Sequence, residues 1–592
     1  MDVASKKEPS NDVIEPLIFS HPSLDDDSRN IPIQVDEINV VVDLEQNVVV
    51  DLEQDAPADL KQNVKGHTAI PVRGMQISHV SDHEQDENLH GISRYHRYHQ
   101  LQQQEQQQEQ QQDNSRSSTC RDPIWAVLFI LQIVVLMCLG FTWGFQSMTS
   151  SDTSSPSTWI SDTSEFVSDF TILLIAIFIF TALLSSLASM ILSRWPEKLI
   201  KGFIILKIVI LLLFSIFRVT QENQGGFLFF LIVAVLWVFY ARAVWSMIPW
   251  VASNLTTAVA AISHNLGIYL VGLGVSLMTV PFTMIWFMSL TGTEWHTTSC
   301  STDGTCENSG FGYILALFAL SLFWTAQVLK NVLHVTVAGV VGTWWFAPQE
   351  ANSFLSRSIR DSLSRACTSS FGSICFGSFL VAVIQVLHHI VYQIRHSRQQ
   401  GVSLVFCLLD YILYLLQSMM TYFNKWGYVY IGLYGYSFWE AGPKVLQLFS
   451  NRGWSTLIND RLIYRVLTGM SLIIGILNGI VAEVIVAIFA SSLKVEVEVE
   501  DDVVEASKGI AFLVGSFIGF MVSHLLLSVI SSAVDTVLVC FAEAPMEFRQ
   551  NHPLLFEQMD QAWREKFPNE YHVVTLDAVA VSILHEPSGT LT

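Results

Sequence analysis

Charged side chains are scarce in this sequence, and the signatures of common enzymes are missing. Only 14% of the 592 residues are Asp, Glu, Lys or Arg, against roughly a quarter in an average soluble protein. There is no Walker A motif for phosphate binding, no H-E-x-x-H zinc motif and no G-x-S-x-G nucleophile elbow. These absences argue against an ATP-driven pump or a membrane hydrolase, and they predict a protein that is not an enzyme and has no cofactor or metal.

Basic residues are also few. Lys and Arg total 32 against 53 Asp and Glu, which gives a formal net charge of −21. Proteins that bind nucleic acid carry basic patches, so this balance argues against nucleic acid as a partner. About half of the negative charge lies in residues 1–121, which also lack long apolar runs. Such a composition predicts a disordered, acidic N-terminal tail.

The tail contains two low-complexity features. Short segments that begin with Asp-Leu start at Asp43, Asp51 and Asp59, and "HQLQQQEQQQEQQQDN" is a glutamine tract. Three copies of about eight residues are too few and too short for a solenoid. The tail is interpreted as an unstructured spacer, and recruitment of tail-binding proteins is the alternative.

Long apolar runs dominate the remainder of the chain. Half of all residues, 51%, are apolar, and they recur in runs of about 20, the length of helix that crosses ~30 Å of hydrocarbon. A β-barrel would show short alternating segments instead. We predict an all-α polytopic membrane protein with about ten transmembrane helices over 122–545, followed by a cytoplasmic tail over 546–592. The predicted spans are 124–144, 169–193, 199–218, 226–248, 257–290, 311–341, 369–394, 403–423, 461–491 and 508–541.

The distribution of Lys and Arg predicts the orientation of these spans. The connections "SRWPEKLIK" and "SRSIRDSLSR" and the segment 425–461 are basic, whereas the alternate connections are acidic or neutral. By the positive-inside rule, both termini lie in the cytoplasm. The basic loop "RHSRQQG" runs against this assignment and Asp410 interrupts span 403–423, so it is left open whether that segment crosses the membrane.

The stretch "SFLSRSIRDSLSR" (353–365) has a different pattern. Apolar residues recur there at helical intervals beside three arginines. This pattern predicts an amphipathic helix that lies at the cytoplasmic interface of the membrane.

Eight cysteines are scattered along the chain, and two of them lie close together in a polar loop. Cys300 and Cys306 flank "STDGT". A small disulfide is the preferred interpretation if the loop faces an oxidising compartment. A metal site is the weaker alternative, because His296 is the only histidine nearby and no CxxC motif accompanies it.

A few charged residues fall inside the predicted spans. Each costs at least ~2.5–3.5 kcal/mol to insert, so a function or a buried pair must retain it. Glu483 in "NGIVAEVIVAIF" and Asp535 in "SSAVDTVLVCF" are interpreted either as part of a cation or proton path or as members of structural pairs. Asp169 is either an acidic group at an outer entrance or a helix N-cap. Arg242 and Lys330 could pair with these carboxylates or extend to the interface.

The segment from Tyr422 to Phe449 is rich in aromatic residues and glycine. As a strand it would leave unpaired backbone groups in lipid, so a helix or a broken helix at the cytoplasmic boundary is predicted. Its tyrosines and tryptophans suit an interfacial belt or helix packing. The alternative is that some of the rings line a route for an organic cation.

At this segment the sequence resembles the choline transporter-like solute carrier family. The residues that carry the resemblance are "FNKWGYVYIGLYGYSFWEAGPKVLQLFSNRGW" and "INDRLIYRVLTGMSLIIG", with "VAGVVGTWWFA", "GSFLVAVIQVLHHIVYQIR" and "SSAVDTVLVCFAEAPMEF" in the expected order. Together with the spans around them, these pieces cover roughly 124–556. The short loop 145–168 and the sequence after the seventh span resemble the fungal and plant branch of the family.

The resemblance implies a ten-span secondary transporter with cytoplasmic tails. It would carry choline or a related amino alcohol, with proton exchange as one form of coupling. The family default is the plasma membrane, and Golgi, endosomal and vacuolar membranes are alternatives. A channel or lipid-handling protein, and a membrane organiser that transports nothing, remain as rival functions.

Recognition of a quaternary ammonium rests on aromatic faces and a carboxylate, since such a cation cannot donate a hydrogen bond. The residues predicted to bind it lie on the fourth and sixth spans and in the aromatic segment: Trp237, Tyr240, Trp245, Trp324, Tyr430, Tyr434, Trp439 and Glu440. The residues predicted to couple transport to an ion or proton are Glu483, Asp535 and Asp169.

Overall fold

The structure is a computed structural model of the full chain. It describes residues 30–35, 38–43, 47–51, 120–146, 156–220, 224–300, 306–307, 311–397, 404–451, 462–493 and 501–568. Ten of the described helices are long and apolar enough to cross a membrane. The prediction of an all-α polytopic membrane protein with ten spans is confirmed.

Three short strands precede the helical region. β1 (Asn30–Val35), β2 (Ile38–Asp43) and β3 (Asn47–Asp51) form an antiparallel sheet with β2 in the centre. Val41 lies opposite Pro32 on one side and Val49 on the other. Valine and isoleucine in these segments account for the strands, because β-branched residues suit a pleated sheet. Most of the tail that is predicted to be disordered lies outside the described residues.

The helices of the first half have the following bounds: α1 (Pro123–Leu139, continued by a π-helical turn over Gly140–Gly144), α2 (Pro156–Arg194), α3 (Pro196–Thr220), α4 (Gln224–Val244, continued by a 3₁₀ turn over Trp245–Met247), α5 (Ile248–Ser263), α6 (Ile268–Thr297) and α7 (Phe311–Phe346). Between α6 and α7, β4 (Ser299–Cys300) pairs with β5 (Cys306–Glu307).

The helices of the second half are α8 (Arg357–Cys367), α9 (Phe371–Ser397), α10 (Leu404–Tyr434), α11 (Phe438–Asn451), α12 (Leu462–Leu493), α13 (Asp501–Glu543), α14 (Pro545–Asn551) and α15 (Pro553–Lys566). Five of the fifteen helices among the described residues begin at proline, whose fixed φ suits the first turn and whose missing N–H is not needed there.

The predicted span 257–290 is wrong at its start. Residues up to Ser263 belong to α5, and the next helix begins at Ile268. The chain is held between them by the segment before α8. The Gly267 N–H donates to Phe354 O at 2.8 Å, and Asn265 Nδ2 donates to Ala351 O at 2.8 Å. These tertiary hydrogen bonds stop the apolar run from forming one continuous helix.

The segment that Asp410 interrupts does form a membrane-length helix. The span extends from Val405 to Tyr434, well past the predicted end at 423. Asp410 is held by α9, since Arg395 Nη1 and His388 Nε2 each lie 2.9 Å from one of its carboxylate oxygens. Arg395, near the end of α9, therefore supplies the countercharge for this carboxylate.

The aromatic segment is a broken helix, as predicted. α10 ends at Tyr434, and Gly435 follows with φ +70°, a left-handed conformation that glycine adopts without steric cost. After this turn, α11 leaves in a new direction and packs back on α10, where Gly442 leaves room for the ring of Phe423. Glycine therefore allows the close approach of the two helices.

The last two spans form the most closely packed hairpin. A Cβ on Gly479 would lie 2.0 Å from Ser516 Oγ, and a Cβ on Gly515 would lie 2.5 Å from the Ala482 side chain. In membranes, small residues let helix backbones approach closely enough for van der Waals packing to hold them together. This hairpin is the frame on which one wall of the site is built.

The predicted amphipathic helix is α8. Its N-cap Ser356 accepts from the Ile359 N–H, and Ile359 and Ala366 are buried. Its buried face packs on α7, where Gly339 leaves space for Ser362. The helix therefore buries its inner face on protein, while Phe354 and Leu355 just before it are exposed.

The segment after the last span folds onto the spans. Trp345 Nε1 donates to Ala544 O at 3.0 Å, and Asn551 Nδ2 donates to Trp345 O at 2.8 Å. Phe556 and Met559 of α15 are buried against the hydrophobic core. α14 and α15 therefore belong to the folded unit that contains the membrane helices.

Candidate functional site

A cavity of about 580 Å³ lies between α5, α7, α9, α10, α12 and α13. This volume falls within the ~300–1,000 Å³ that small-molecule sites occupy. Its walls are formed by membrane-spanning segments, yet they carry Lys, His, Asp, Asn, Gln, Ser and Thr side chains. Polar side chains in such a position are costly unless they serve a function.

One polar wall comes from a single face of α7. The residues on it are Gln327, Lys330, Asn331 and His334. Their spacing of three, four and seven positions places them above one another on a helix. The rest of this stretch of α7 is largely apolar and packs into the core. The sequence therefore already contains a polar stripe along an apolar span.

A second polar wall comes from α13 in the same way. Its members are His524, Ser528, Ser531, Ser532 and Asp535. They recur at intervals of three and four positions, so they share one face. Because α13 is packed against the other spans, this face points into the molecule and not toward lipid.

An ion pair crosses the cavity from α10 to α13. Lys425 Nζ lies 2.7 Å from Asp535 Oδ1. The Asp535 side chain is 7% exposed and that of Lys425 is 30% exposed. The ammonium of Lys425 also lies 4.4 Å from the centre of the buried Trp426 ring. The aspartate is thus fixed in the wall, while the lysine reaches it from the cavity side.

A second cation, Lys330, faces the same space. Among the residues that the structure describes, no carboxylate forms an ion pair with it, and its Nζ lies 5.9 Å from the Tyr464 ring. The described lining therefore contains two lysines and one carboxylate, that of Asp535.

His334 lies deep in the wall between these charges. Its Nδ1 is 2.8 Å from Ser532 Oγ, and its Nε2 has no hydrogen-bond partner among the described residues. Its ring meets that of Tyr428 edge-on at 6.3 Å. The Ser532 contact joins the α7 and α13 walls of the cavity.

A chain of hydrogen bonds fixes the adjacent wall. Asn331 Nδ2 donates to Ser378 Oγ at 2.9 Å, and Ser378 Oγ lies 3.3 Å from the Tyr428 hydroxyl. The Tyr428 hydroxyl also donates to Ile374 O at 3.2 Å. This chain connects α7, α9 and α10 and holds the buried Tyr428 ring against the cavity.

Aromatic rings complete the lining. They are Trp250, Tyr414, Tyr422, Tyr428 and Tyr464. Tyr464 lies near Lys330 and meets the His524 ring edge-on at 6.0 Å. The site therefore combines a carboxylate, aromatic faces and hydrogen-bonding groups, which is what binding a cation with a polar substituent requires.

The three rings predicted on and after α4 lie elsewhere. Trp237 is 4.2 Å from Lys207 Nζ, Tyr240 accepts a hydrogen bond from Arg465 at 2.8 Å, and Trp245 is 5.4 Å from Lys201 Nζ. None of these rings is among the residues that line the cavity. Their faces are occupied by cations of the protein itself.

The other predicted rings are packing residues or surface residues in this structure. Trp324 is buried and donates to Cys375 O at 2.9 Å. Tyr430 and Tyr434 pack together with ring centres 5.3 Å apart, and Trp439 is 67% exposed. These four lie outside the cavity lining, like the predicted carboxylate at position 440.

The predicted carboxylates are separated by the fold. Glu440 accepts from Arg121 at 3.2 Å near the start of α1. Glu483 is exposed on α12 and is not among the residues that line the cavity. Asp169 lies within α2, but its side chain is outside the described residues. Asp535 is therefore the predicted site residue that lines the cavity in the described part of the chain.

The predicted partners of Asp535 also need correction. Neither Lys330 nor Arg242 forms an ion pair with it; Lys425 does. Lys425 was assigned to a basic connection after the shorter span 403–423, and the extension of α10 to Tyr434 brings it inside the membrane domain. The polar stripe on α13 is visible in the sequence and could have indicated the cavity wall. The end of α10 at Tyr434 is not visible in the sequence.

The predicted cysteine pair lies in the β4–β5 hairpin. Cys300 and Cys306 are direct partners in the antiparallel register. Their side chains are outside the described residues, so the disulfide stays a prediction.

Ten of the described helices have membrane length, and six of the described helices enclose an internal polar cavity, so the class is a multi-pass helical membrane protein. The family follows from comparison with known proteins. The sequence profile described as "Plasma-membrane choline transporter" matches residues 228–546. The chain belongs to this choline transporter-like family. The matched segment includes every helix that lines the cavity.

Curated relatives are found in fungi and in a slime mould. The chain is 27% identical over 372 residues to Protein pns1 of Aspergillus fumigatus, which is 61% of this chain and 67% of that protein. It is 28% identical over 354 residues to Protein PNS1 of Gibberella zeae, or 58% of this chain and 64% of that protein. It is 26% identical over 329 residues to a CTL-like protein of Dictyostelium discoideum, or 55% of each chain. The matched region spans just over half to two thirds of these relatives.

Proposed function

We propose that this protein is a secondary, alternating-access carrier of choline or a related amino alcohol. The observation that carries the proposal is the buried carboxylate of Asp535 in a cavity with aromatic walls, inside the segment that matches the family. A carrier of this kind binds its substrate in a central site that opens to one side of the membrane at a time.

The charged end of the substrate would sit near Asp535. A quaternary ammonium gains cation–π attraction of ~0.5–2 kcal/mol per well-placed ring, the larger value where water is excluded. Tyr464, Tyr428 and Tyr422 provide rings in the lining. Asp535 supplies the countercharge, which a low-dielectric wall makes stronger than it would be in water.

The polar end of the substrate would meet unused hydrogen-bonding groups. Gln385 Oε1, Asn424 Oδ1 and Thr468 Oγ1 belong to lining residues and have no hydrogen-bond partner within the described structure; all three atoms are buried, so a side-chain rotation would present them to the substrate. A buried acceptor without a partner costs ~1–3 kcal/mol, so a ligand that donates to it gains affinity. The hydroxyl of an amino alcohol is such a donor.

Proton coupling is the second part of the proposal. Of the three carboxylates predicted for this role, Asp535 has the supporting position, since it faces the substrate space. We further propose that both termini face the cytoplasm, in the plasma membrane, with the positive-inside pattern as support. An epitope tag at either end should be reached by antibody only in permeabilised cells.

The test is uptake of labelled choline and labelled ethanolamine by the full chain in proteoliposomes, with and without an imposed pH gradient. We expect saturable uptake of at least one of them. Flux that follows the pH gradient supports proton coupling. Saturable flux that does not depend on the pH gradient would contradict proton coupling and would still support the carrier function.

The matched variants are Asp535→Asn and Glu483→Gln, which each remove one carboxylate from a membrane span. Loss of a desolvated countercharge should lower uptake roughly tenfold or more for Asp535→Asn. Glu483→Gln should stay within about twofold of wild type, because Glu483 lies outside the cavity and makes none of this substrate's contacts. Uptake that is equal with and without protein would remove the proposal. Unsaturable flux would favour a channel, and movement of headgroup-labelled lipid would favour a lipid-handling protein.

A further inference from the structure

We infer that Lys425 is a tethered competitor of the substrate, holding the cation position at Asp535 whenever the cavity is empty. The inference rests on the proposed function and adds a mechanism for the return of the empty carrier. It starts from the 2.7 Å contact between Lys425 Nζ and Asp535 Oδ1 across the cavity.

The two partners differ in how firmly the fold holds them. Asp535 is buried within α13, whose neighbours Val534, Thr536 and Val537 are also buried. Lys425 is 30% exposed and has a flexible stem of four carbons. The aspartate is therefore a fixed countercharge, and the lysine is the member of the pair that can move away.

Lys425 also contacts an aromatic ring, which remains beside it when the ion pair opens. The Lys425 ammonium is already 4.4 Å from the centre of the Trp426 ring. A cation over an aromatic face keeps part of its stabilisation when it loses a carboxylate. Another cation can therefore displace Lys425 from Asp535 while the Lys425 ammonium keeps its contact with the Trp426 ring.

Replacement of Lys425 by the substrate cation keeps the charge of Asp535 balanced throughout the transport cycle. A carboxylate left unpaired in a low-dielectric wall is costly, and removal of one partner of a buried pair is strongly destabilising. With Lys425 in place, Asp535 stays neutralised in the empty protein. With an ammonium substrate in place, it is neutralised by the substrate. Both the empty and the loaded carrier can therefore change conformation.

Lys330 limits where Lys425 can go. It faces the same cavity and forms no ion pair within the described residues. Two like charges in one cavity repel each other, and the repulsion is strong at low dielectric. Lys425 is therefore directed toward Trp426 and back to Asp535, not deeper toward Lys330.

The experiment compares net uptake with exchange. Wild type should move labelled choline both into empty proteoliposomes and into proteoliposomes preloaded with unlabelled choline. Lys425→Gln should lower net uptake roughly tenfold or more, the expected effect of an unpaired buried charge during return. Exchange should remain within about threefold of wild type, because in that mode the carrier always returns with substrate. Unchanged net uptake, or equal loss of both modes, would overturn the inference.

A second measurement does not depend on transport. Removal of the lysine should leave a cation site at Asp535 that a free small ammonium can fill. Tetramethylammonium should therefore raise the Tm of Lys425→Gln in detergent more than that of wild type, since a ligand stabilises the state that binds it. The double variant Lys425→Gln/Asp535→Asn should lose this difference.

The two proposals fail in different ways. A wild type that moves no choline in either mode counts against the proposed function, and the Tm comparison still decides the role of Lys425. Absence of an ammonium-dependent difference between Lys425→Gln and wild type would overturn the competitor role, even where choline transport is intact.

Discussion

Trp563 Nε1 donates a hydrogen bond to Asn254 Oδ1 at 3.2 Å, and this bond joins the C-terminal helix α15 to a residue of the cavity wall. The Trp563 ring also meets the Trp250 ring edge-on at 5.3 Å, and Trp250 lines the cavity too. The end of the chain after the last span thus supports one end of the proposed substrate site.

Removal of the Trp563 ring should destabilise the protein. Trp563→Ala should cost about 3–5 kcal/mol, as is usual for loss of a buried tryptophan. Trp563→Phe keeps an aromatic ring but leaves Asn254 Oδ1 without its donor, so it should cost about 1–3 kcal/mol. Thermal unfolding in detergent measures the relative stabilities of these variants. Trp439→Ala removes an exposed ring and should lie within about 0.5 kcal/mol of wild type. A Trp563→Ala variant as stable as Trp439→Ala would contradict the support role.

The glycine contacts between α12 and α13 should not tolerate a larger side chain. Gly479→Val would place its Cβ 2.0 Å from Ser516 Oγ and 2.7 Å from Phe512 O. The helices would have to separate, so we expect little monodisperse protein by size-exclusion chromatography and a lowered Tm. Gly202→Ala is the matched control, because nothing lies within 4 Å of its added Cβ. It should be neutral or stabilising by about 0.5–1 kcal/mol, since alanine favours a helix interior. Equal yields of the two variants would contradict this packing.

Docking of α14 should weaken in mildly acidic solution. The His552 ring stacks on Trp344 at 3.8 Å, and its Nε2 donates to Trp344 O at 3.1 Å. Burial lowers the pKa of His552 below its ordinary value of 6.5; nearby His264 adds to this effect, and the hydrogen bond opposes it. The undocked histidine binds its proton first as pH falls, so stability is full above pH 6.5 and declines from there down to the lowered pKa.

Limited proteolysis of the segment after α13 at pH 7.5 and 5.5 would measure this decline. Cleavage should be faster at the lower pH in wild type. His552→Gln cannot take up a proton and keeps an N–H donor for Trp344 O, so it should cut this pH effect substantially. A variant with the full pH dependence of wild type would assign the effect to other groups.

The β4–β5 hairpin should contain a disulfide. Cys300 and Cys306 are direct partners across an antiparallel ladder, and a loop of this size should contribute about 2 kcal/mol by restricting the unfolded chain. Denatured, unreduced protein treated with a maleimide should leave both residues unmodified, whereas exposed Cys367 is modified. Modification of all three before reduction would show that the pair is free. If the disulfide exists, Cys306 is unreactive in wild type before reduction and becomes reactive in the Cys300→Ser variant. If it does not exist, Cys306 reacts equally in both.

Much of the architecture could be predicted from the sequence. Spans were predicted at ten positions, and ten helices of membrane length occur there. The reason is local: a run of about 20 apolar residues must form a helix wherever lipid surrounds it. The family resemblance was equally local, because the aromatic segment and its neighbours are contiguous in the chain, and the match over 228–546 confirms it.

Helix ends were less accessible. The chain between Ser263 and Ile268 turns because distant carbonyls at Phe354 and Ala351 take its hydrogen bonds. α10 continues past 423 because other spans pack around its aromatic end. Hydropathy does not record such contacts, so the predicted boundaries differ there.

By itself the sequence determined that this chain lies in a membrane, how many times its helices can cross, and to which family it belongs, because each depends on neighbouring residues. Only the tertiary structure decided that Lys425 meets Asp535 and that Trp237 is covered by Lys207. An aromatic or charged side chain has the same propensity in a packed core as in a binding site. Its role depends on which helix faces it, and that is set by the packing of the whole bundle.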